Sequence, residues 1–450
     1  MIEKALHDGV VYISSLLWGW PLILTFLLVG VITTIALYGL QFRFFFRSWR
    51  LLLFPEKTTQ ATGDQPLMTP AQAFLNALGT STGNGSIAGV ATAVQLGGPG
   101  AAFWIIVFGL FSMIIRFAEV YLATYGMGRI RFGTVNGGPI VYLSQMPGGK
   151  FLAYLFAFFM FMYALTSGNA MQVNSIGLGM HRTWDVAPWI TAIALALFVT
   201  YALLGGAKRV VTISDKLTPF KVSVFLVASL IVVVYHWQAI VPAISLIISS
   251  AFCTQSLCGG AVGFTVQQAM RNGFARSVNA HEAGLGTAGI FFGATESKRP
   301  MEDSLMSMVG VVVSNFAICF LVALIVIASG VWNNGQTSTA LTISAFNTVF
   351  GQYGGWVVTF CAASFGLGVL VSMSFIARSM WLFLTGGRGV RLFEVLYILV
   401  AIGGTLARVD LIWHMNDIVN GVLLLMNLAA IVWYLGMMRR DVAAYIQKES

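Results

Sequence analysis

The sequence has little charge. Of its 450 residues, only 9% are Asp, Glu, Lys or Arg, whereas 58% are hydrophobic and the mean hydropathy is +0.83. Because soluble globular chains carry about 25% charged residues, this composition excludes a soluble protein. Apolar runs of about twenty residues, separated by short polar gaps, are typical of membrane helices and not of a barrel with its ten-residue alternation. The composition therefore predicts an all-α, polytopic membrane protein embedded in lipid.

The sequence is also poor in residues that form disulfides or bind metals. Its four cysteines form no CxxC pair, which argues against a disulfide framework or a zinc site. Its five histidines lie in loops or near the ends of apolar runs, and it contains no HExxH motif and no pair of intramembrane aspartates. We therefore expect no catalytic residues, no bound metal and no cofactor, and we do not interpret the chain as an enzyme.

The basic residues predict the orientation in the membrane. A net charge of +9 would suggest nucleic acid binding in a soluble protein, but here we expect it to set topology. Twenty of the 25 basic residues are expected in the loops of one side, namely Arg43, Arg47, Arg50, Lys57, Arg129, Arg131, Lys150, Lys208, Arg209, Lys216, Lys221, Arg271, Arg276, Lys298, Arg299, Arg388, Arg391, Arg439, Arg440 and Lys448. The positive-inside rule then places the amino terminus outside the cell and the carboxyl terminus in the cytoplasm. We expect the membrane to be a bacterial inner membrane.

Eleven apolar runs divide the chain into a lead helix and two groups of five helices. We expect a lead helix and a basic cytoplasmic loop in residues 1–68, five-helix repeats in 69–238 and 239–437, and a cytoplasmic tail in 438–450. The eleven predicted runs are 14–40, 69–96, 99–127, 151–180, 187–206, 211–236, 239–275, 301–330, 354–384, 391–408 and 411–437.

The run 69–96 is interrupted by glycine and small polar residues between Gly79 and Gly89. Glycine weakens a helix, and an irregular backbone is tolerated at membrane depth only where it is buried in protein or lines a cavity. One alternative is a helix-packing surface, since Gly85 and Gly89 form a GxxxG motif. The other interpretation is an interrupted helix at a binding site.

The run 239–275 repeats this pattern, because an Ala251-Phe252 pair precedes the segment CTQSLCGGAVG, just as Ala73-Phe74 precedes the first interruption. The two interrupted runs open successive five-helix groups that start on opposite sides of the membrane, as an inverted repeat requires. At such interruptions, half-helix N-termini attract anionic groups and freed carbonyls coordinate cations. The pattern therefore predicts a transporter for a small zwitterion and a cation.

These motifs resemble the alanine or glycine:cation symporters (sodium:alanine symporters) of the amino acid-polyamine-organocation superfamily. The resemblance covers about residues 69–437 and implies a LeuT-type fold with broken first and sixth core helices. It also implies import of a small neutral amino acid, alanine or glycine, with a cation, sodium. The motifs that carry it are GNGSIAGVATAVQLGGPGAAFW (83–104), RFAE (116–119), NGGPIVYL (136–143), AMQVNSI (170–176), GGAVG (259–263), HEAGLGTAG (281–289) and WHMNDIVNG (413–421).

The resemblance also implies two sets of site residues. The substrate would contact Gly83, Asn84, Gly85, Ser86, Gln172, Asn174, Gly259, Gly260 and Met373. The cation would lie near Thr80, Thr82 and Gly368. Ionisable residues in or beside membrane spans are functional candidates by default, so we also expect gating or coupling to involve Glu119, His281, Glu282 and Asp417.

Several of these side chains have a purely structural alternative. Gln172 and Asn174 could form interhelical hydrogen bonds, and Glu119 could pair with Arg116 three residues earlier. Asp417 could cap backbone groups. His281 and Glu282 are expected in a long inner loop, where a gate contact and a solvated turn are both open.

The chain departs from the family pattern at Ser86, Ser314-Asn315, Val369 and Met373, and these changes remove a carboxylate, a hydroxyl and an aromatic wall. Proton-coupled or uncoupled transport and a larger substrate are therefore alternatives. A channel or an intramembrane enzyme is the alternative from another class, although no filter-like repeat or charged ring is present. Oligomeric state does not follow from these patterns.

An odd number of helices predicts termini on opposite sides of the membrane. A tag at the amino terminus should react with an impermeant reagent in intact cells. A tag at the carboxyl terminus should react only after lysis. A carboxyl-terminal tag labelled in intact cells would contradict the predicted orientation.

Overall fold

The structure is a computed structural model, and it describes residues 9, 12, 14, 16–54, 68–125, 137–252, 265–295, 297, 299–407 and 409–449. Every regular element in these ranges is helical, and none of the described residues lies in a strand. The all-α prediction is thereby confirmed for the described part of the chain. The predicted eleven-helix, LeuT-type repeat stays a prediction.

Twenty α-helices lie in the described ranges, and we number them in chain order. They are α1 Trp20–Ala36, α2 Leu40–Arg43, α3 Phe45–Leu53, α4 Pro70–Ser81, α5 Val90–Gly97, α6 Gly100–Thr124, α7 Pro139–Ser144, α8 Gly149–Leu165, α9 Met171–Trp184, α10 Pro188–Leu204, α11 Gly206–Tyr235, α12 Trp237–Phe252, α13 Val266–His281, α14 Thr287–Phe292, α15 Pro300–Val311, α16 Phe320–Ala328, α17 Ser338–Phe350, α18 Gly354–Leu384, α19 Val390–Leu406 and α20 Val409–Glu449. Three π-helical turns lie within this series, namely Gly85–Gly89, Thr166–Ala170 and Val312–Cys319.

Many of these helices suit a bilayer. In the described residues, six helical segments are long and apolar enough to cross a membrane, and four shorter helical segments are also apolar. Large apolar side chains such as Leu197 and Val241 are exposed on the outside of the bundle, at 67% and 75% of their full area. Such a surface is expected where lipid replaces water as the solvent.

The run 69–96 is divided where the interruption was predicted, because α4 ends at Ser81 and α5 begins only at Val90. Other helices differ from the predicted runs. The segment between the predicted runs 301–330 and 354–384 contains α17, which no predicted run includes. Helix α20 continues to Glu449, so residues 438–449 of the predicted tail are helical. The second predicted interruption, including Gly259 and Gly260, lies outside the described residues.

Glycines allow close contacts between helices. Asn315 donates a hydrogen bond of 2.8 Å from Nδ2 to the carbonyl of Ile105, and its Oδ1 accepts one of 3.0 Å from Ser277. A Cβ atom on Gly109 would lie 2.0 Å from Asn315 Nδ2. Since helices in lipid gain little from hydrophobic association, such close packing and polar contacts hold them together.

Replacing Gly109 with alanine should therefore destabilise the protein. The new methyl group would displace the Asn315 amide, and overpacking typically costs about 1–3 kcal/mol. The melting temperature in detergent should fall for Gly109→Ala. Gly403→Ala is the control, because no atom lies within 4 Å of a Cβ placed there. Equal melting temperatures for the two variants would contradict this packing.

Candidate functional site

The interruption of the first glycine-rich run lies deep inside the protein. Helix α4 ends at Ser81, and the Thr82 amide donates 2.9 Å to the carbonyl of Leu78, which closes the last turn. The chain then turns through Gly83 and Asn84 into the π-helical turn Gly85–Gly89, all of which is buried. The interruption therefore brings irregular backbone into the interior of the bundle.

Gln172 supports this interruption from α9. Its Oε1 accepts a 2.9 Å hydrogen bond from the backbone amide of Asn84, and its Nε2 donates 2.9 Å to the carbonyl of Ser167. A Cβ atom on Gly83 would lie 2.8 Å from Val369 Cγ2 and 3.1 Å from Gln172 Oε1. Only glycine at position 83 allows both side chains to approach this closely.

One polar atom at the interruption is unused. The Asn84 side chain is fully buried, and its Nδ2 lies 3.4 Å from the carbonyl of Gln172. Its Oδ1 has no hydrogen-bond partner among the described residues. Because buried polar atoms are nearly always paired, an open acceptor at this position is available to a ligand that can donate a hydrogen bond.

Two residues expected at the substrate site contact other parts of the protein. Asn174 donates hydrogen bonds of 2.9 Å to the carbonyls of Gly404 and Ala407 at the end of α19. Its amide is therefore used between helices, as the structural alternative required. Met373 packs against Gly168, where a Cβ atom would lie 2.5 Å from Met373 Cγ. Val369, one turn earlier on α18, is the side chain that faces Gly83.

The residues predicted to bind the cation lie around a lysine. Lys221, in α11, is fully buried. Its Nζ donates hydrogen bonds of 2.8 Å to the carbonyls of Gly79 and Thr82. A Cβ atom on Gly368 would lie 2.8 Å from the same Nζ. Our assignment of Lys221 to the basic loops was wrong, because its ammonium reaches the interruption. The apolar stretch that begins at Val222, directly after Lys221, could have indicated this.

Glu282 connects the same half-helix to the end of α13. It accepts hydrogen bonds of 2.8 Å from the Thr80 hydroxyl and 2.7 Å from the Tyr163 hydroxyl. His281 is the last residue of α13 and Glu282 caps that helix, and both are buried. The expectation of a long inner loop at this point is corrected. These two residues belong to the packed interior because α13 continues further than the sequence pattern indicated.

The segment that follows is held by Glu119. Its Oε2 accepts a hydrogen bond of 2.8 Å from the Gly284 amide, and its Oε1 accepts a hydrogen bond of 3.1 Å from the Gly289 amide. Arg116 lies 3.5 Å from Glu119 and donates to the carbonyl of His281. The predicted ion pair is therefore present, and both of its members also bind the backbone of residues 281–289.

Asp417 belongs to a separate buried network. Its carboxylate accepts a hydrogen bond of 2.9 Å from Arg276 Nη2. The Arg276 guanidinium lies 4.4 Å from the centre of the Trp413 ring. Asn279 accepts 2.7 Å from Asn416 and also accepts from Asn420. Arg276 was also assigned to a basic loop, and this was wrong, because it lies within α13 and neutralises a buried carboxylate.

The remaining predicted site residues in the described part of the chain contact nearby backbone. The hydroxyl of Ser86 points back to the carbonyl of Ser81 at 3.5 Å, and Gly85 faces the carbonyl of Asn279. The Thr82 hydroxyl donates 2.6 Å to Leu78. No group of three His, Cys, Asp or Glu residues in the described part of the chain could hold a metal ion.

Comparisons with known proteins agree with this architecture. The family model described as the sodium:alanine symporter family matches residues 3–450. An uncharacterised transporter of Haemophilus influenzae is 34% identical over 439 residues, which covers 97% of this chain and 95% of that protein. The sodium/alanine symporter AgcS of Methanococcus maripaludis is 30% identical over 441 residues, which covers 96% of each chain.

Among solved structures, a mutant of the manganese transporter of Eremococcus coleocola is similar with a TM-score of 0.54 at 12% identity. The match covers 87% of this chain and 88% of that chain. At this level of identity the likeness concerns the fold alone. It indicates a transporter-like arrangement of helices, and it carries no information about the ligand.

Replacing Glu119 with glutamine should loosen the segment 281–289. A glutamine side chain keeps one acceptor and turns an NH₂ group toward one of the two glycine amides, and an unsatisfied buried amide costs about 1–3 kcal/mol. The melting temperature should fall, and amide hydrogen exchange should accelerate in this segment. Asp185→Asn is the control, because the Asp185 side chain is 94% exposed. Unchanged amide hydrogen exchange in residues 281–289 of Glu119→Gln would refute the role of Glu119 in holding this segment.

Proposed function

The chain belongs to the sodium:alanine symporter family, and on that premise we propose that it imports a small neutral amino acid, of the alanine or glycine type, by alternating access. The observation that carries the proposal is the buried interruption between Ser81 and Gly85, with the open acceptor of Asn84 beside it. Interrupted helices are where secondary transporters of this kind bind their substrates.

The chemistry of the interruption suits an amino acid. The amide oxygen of Asn84 can accept a hydrogen bond from the substrate ammonium group. The glycines at positions 83 and 85 let a ligand approach the backbone closely, and the backbone of the following half-helix presents its positive dipole end to a carboxylate. A zwitterion has both groups within one small molecule. We therefore propose that Gly83, Asn84, Gly85, Ser86, Gly259 and Gly260 contact the substrate.

The surroundings favour a small side chain. Val369 Cγ2 and Gln172 Oε1 both lie within 3.1 Å of the position that a Cβ atom on Gly83 would take. Little space is left on that side of the interruption, which suits a hydrogen or a methyl group. The name of the relative AgcS, a sodium/alanine symporter, supports alanine as the first substrate to test.

Glu119, Arg116 and Glu282 support the site without touching the substrate. They attach the segment 281–289 to α6 and to the half-helix α4. Movement of α4 during alternating access would change these contacts. We therefore propose that this polar cluster is part of the inner gate.

The function is tested by counterflow in proteoliposomes. Vesicles containing the purified protein are loaded with unlabelled amino acid, and uptake of radiolabelled alanine, glycine or a larger amino acid is measured. Sodium and the proton gradient are varied separately. Alanine or glycine should exchange faster than in protein-free vesicles. Absence of accelerated exchange for every amino acid under every condition would refute the proposed function.

Asn84→Ala should reduce alanine exchange by about tenfold or more, since a hydrogen bond to a charged group contributes about 1.5–3 kcal/mol. The melting temperature should stay close to that of the unchanged protein, because Asn84 Oδ1 has no partner in the described structure. Asn76→Ala is the matched control, because Asn76 is a buried asparagine about two turns earlier whose Nδ2 donates to Asp215 and whose Oδ1 is likewise open, so that the two residues differ in their distance from the interruption. Equal exchange by both variants would remove Asn84 from the site.

A further inference from the structure

Lys221 presents its ammonium group to the carbonyl oxygens that the interruption leaves free. Three carbonyls surround Nζ, those of Gly79 and Thr82 at 2.8 Å and that of Phe365 at 3.5 Å. An ammonium group has three donors and no acceptor. The three N–H groups of Lys221 therefore have one carbonyl each.

The neighbouring helices are shaped around this lysine. Ser214, Thr218 and Lys221 lie on one face of α11, at spacings of four and three residues. A Cβ atom on Gly79 would lie 2.8 Å from Thr218 Oγ1 and 2.9 Å from Ser214 Oγ. A Cβ atom on Gly368, in α18, would lie 2.8 Å from Nζ itself. Gly368 therefore makes room for the ammonium group, and Gly79 allows the hydroxyl groups of Ser214 and Thr218 to approach α4.

The charge of Lys221 is also compensated. Gly79 and Thr82 lie at the C-terminal end of α4, where the helix dipole is negative and favours a cation. The carboxylate of Glu282 lies against the same half-helix, because it accepts a hydrogen bond of 2.8 Å from the hydroxyl of Thr80, which follows Gly79 directly. A buried cation with three carbonyls, a helix C-terminus and a nearby carboxylate is a complete site.

In transporters built with interrupted helices, freed carbonyls and half-helix C-termini are the groups that coordinate a transported cation. Here Lys221 Nζ contacts those groups. A sodium ion bound to the carbonyls of Gly79 and Thr82 would lie against Nζ, where the two like charges would repel. The lysine and a sodium ion therefore exclude each other from this position.

We propose that the Lys221 ammonium is a tethered cation that takes the place of a transported sodium ion at the end of α4. Amino acid exchange by this protein then does not require sodium. This inference rests on the proposed function, since it concerns the coupling of the same transport site. It separates this chain from a sodium symporter through one side chain, Lys221, and the glycine at position 368 that accommodates it.

The proposal is tested first on the unchanged protein. Counterflow of radiolabelled alanine is measured in sodium chloride and in N-methylglucamine chloride, at equal pH on both sides. The initial rates should agree within about twofold, whereas a bound sodium ion that is needed for transport would change them by about tenfold or more. Strict dependence on sodium would overturn the proposal.

Removing the lysine should create a sodium dependence. Lys221→Ala frees the carbonyls of Gly79 and Thr82, and alanine exchange should be lost in N-methylglucamine and recovered in sodium by about tenfold or more. Lys216→Ala is the matched control, an exposed lysine on the same helix. A folded Lys221→Ala variant that exchanges alanine equally in both salts would overturn the proposal. Lys221→Met, which keeps most of the side chain and removes only the terminal ammonium group, replaces it if the alanine variant does not fold.

Sodium binding can be measured without transport. The melting temperature of the purified protein should be equal in sodium and N-methylglucamine chloride for the unchanged chain, and it should rise in sodium for Lys221→Ala, because a ligand that binds the native state stabilises it. Sodium-dependent stabilisation of the unchanged protein that persists in Lys221→Ala would overturn the proposal. This measurement tests the role of Lys221 even if the protein exchanges no amino acid. Absence of exchange would refute the proposed function and not the role of Lys221.

Discussion

The interruption after Ser81 depends on the satisfaction of its backbone groups. In lipid no water is available to backbone amides and carbonyls, so an interrupted helix needs partners from the protein. Lys221 donates to the carbonyls of Gly79 and Thr82, and Gln172 accepts from the amide of Asn84. The two side chains come from different helices, α11 and α9, and together they hold the end of one half-helix and the start of the next. The proposed substrate site exists because these two contacts stabilise an otherwise unfavourable backbone.

The buried charges form a second level of support around this point. Arg116 and Glu119 bind the backbone of residues 281–289, and Glu282 bonds Thr80 on α4. The pair Arg276 and Asp417 connects α13 to α20 on another face. Each charge in these groups has a partner of opposite sign or a hydrogen-bonding backbone group, as burial away from water requires. Arg116, Glu119 and Glu282 therefore hold the chain that follows α13 against α6 and the half-helix α4.

Much of this arrangement could be predicted from the sequence. Runs of apolar residues predicted the helices, and the glycines between Gly79 and Gly89 predicted the position of the interruption, since both are local patterns. The partners of single side chains could not be predicted, because they depend on how distant helices pack. Lys221 was assigned to a loop by its charge alone, although burial with three carbonyls makes a lysine acceptable inside a helix bundle. Asn174 and Met373 were placed at the site by family position, but their contacts with α19 and Gly168 follow from the rotation of α9 and α18.

The proposed arrangement has an amino acid bound at the interruption between Ser81 and Gly85 while Lys221 donates to the adjacent carbonyls. An electron cryomicroscopy structure of the protein with saturating alanine, in a sodium-containing buffer, would show both features at once. We predict density for alanine with its ammonium nitrogen within hydrogen-bond distance of Asn84 Oδ1, and Lys221 Nζ in contact with the carbonyls of Gly79 and Thr82. Alanine bound elsewhere, or an ion between those carbonyls with the lysine turned away, would contradict the account.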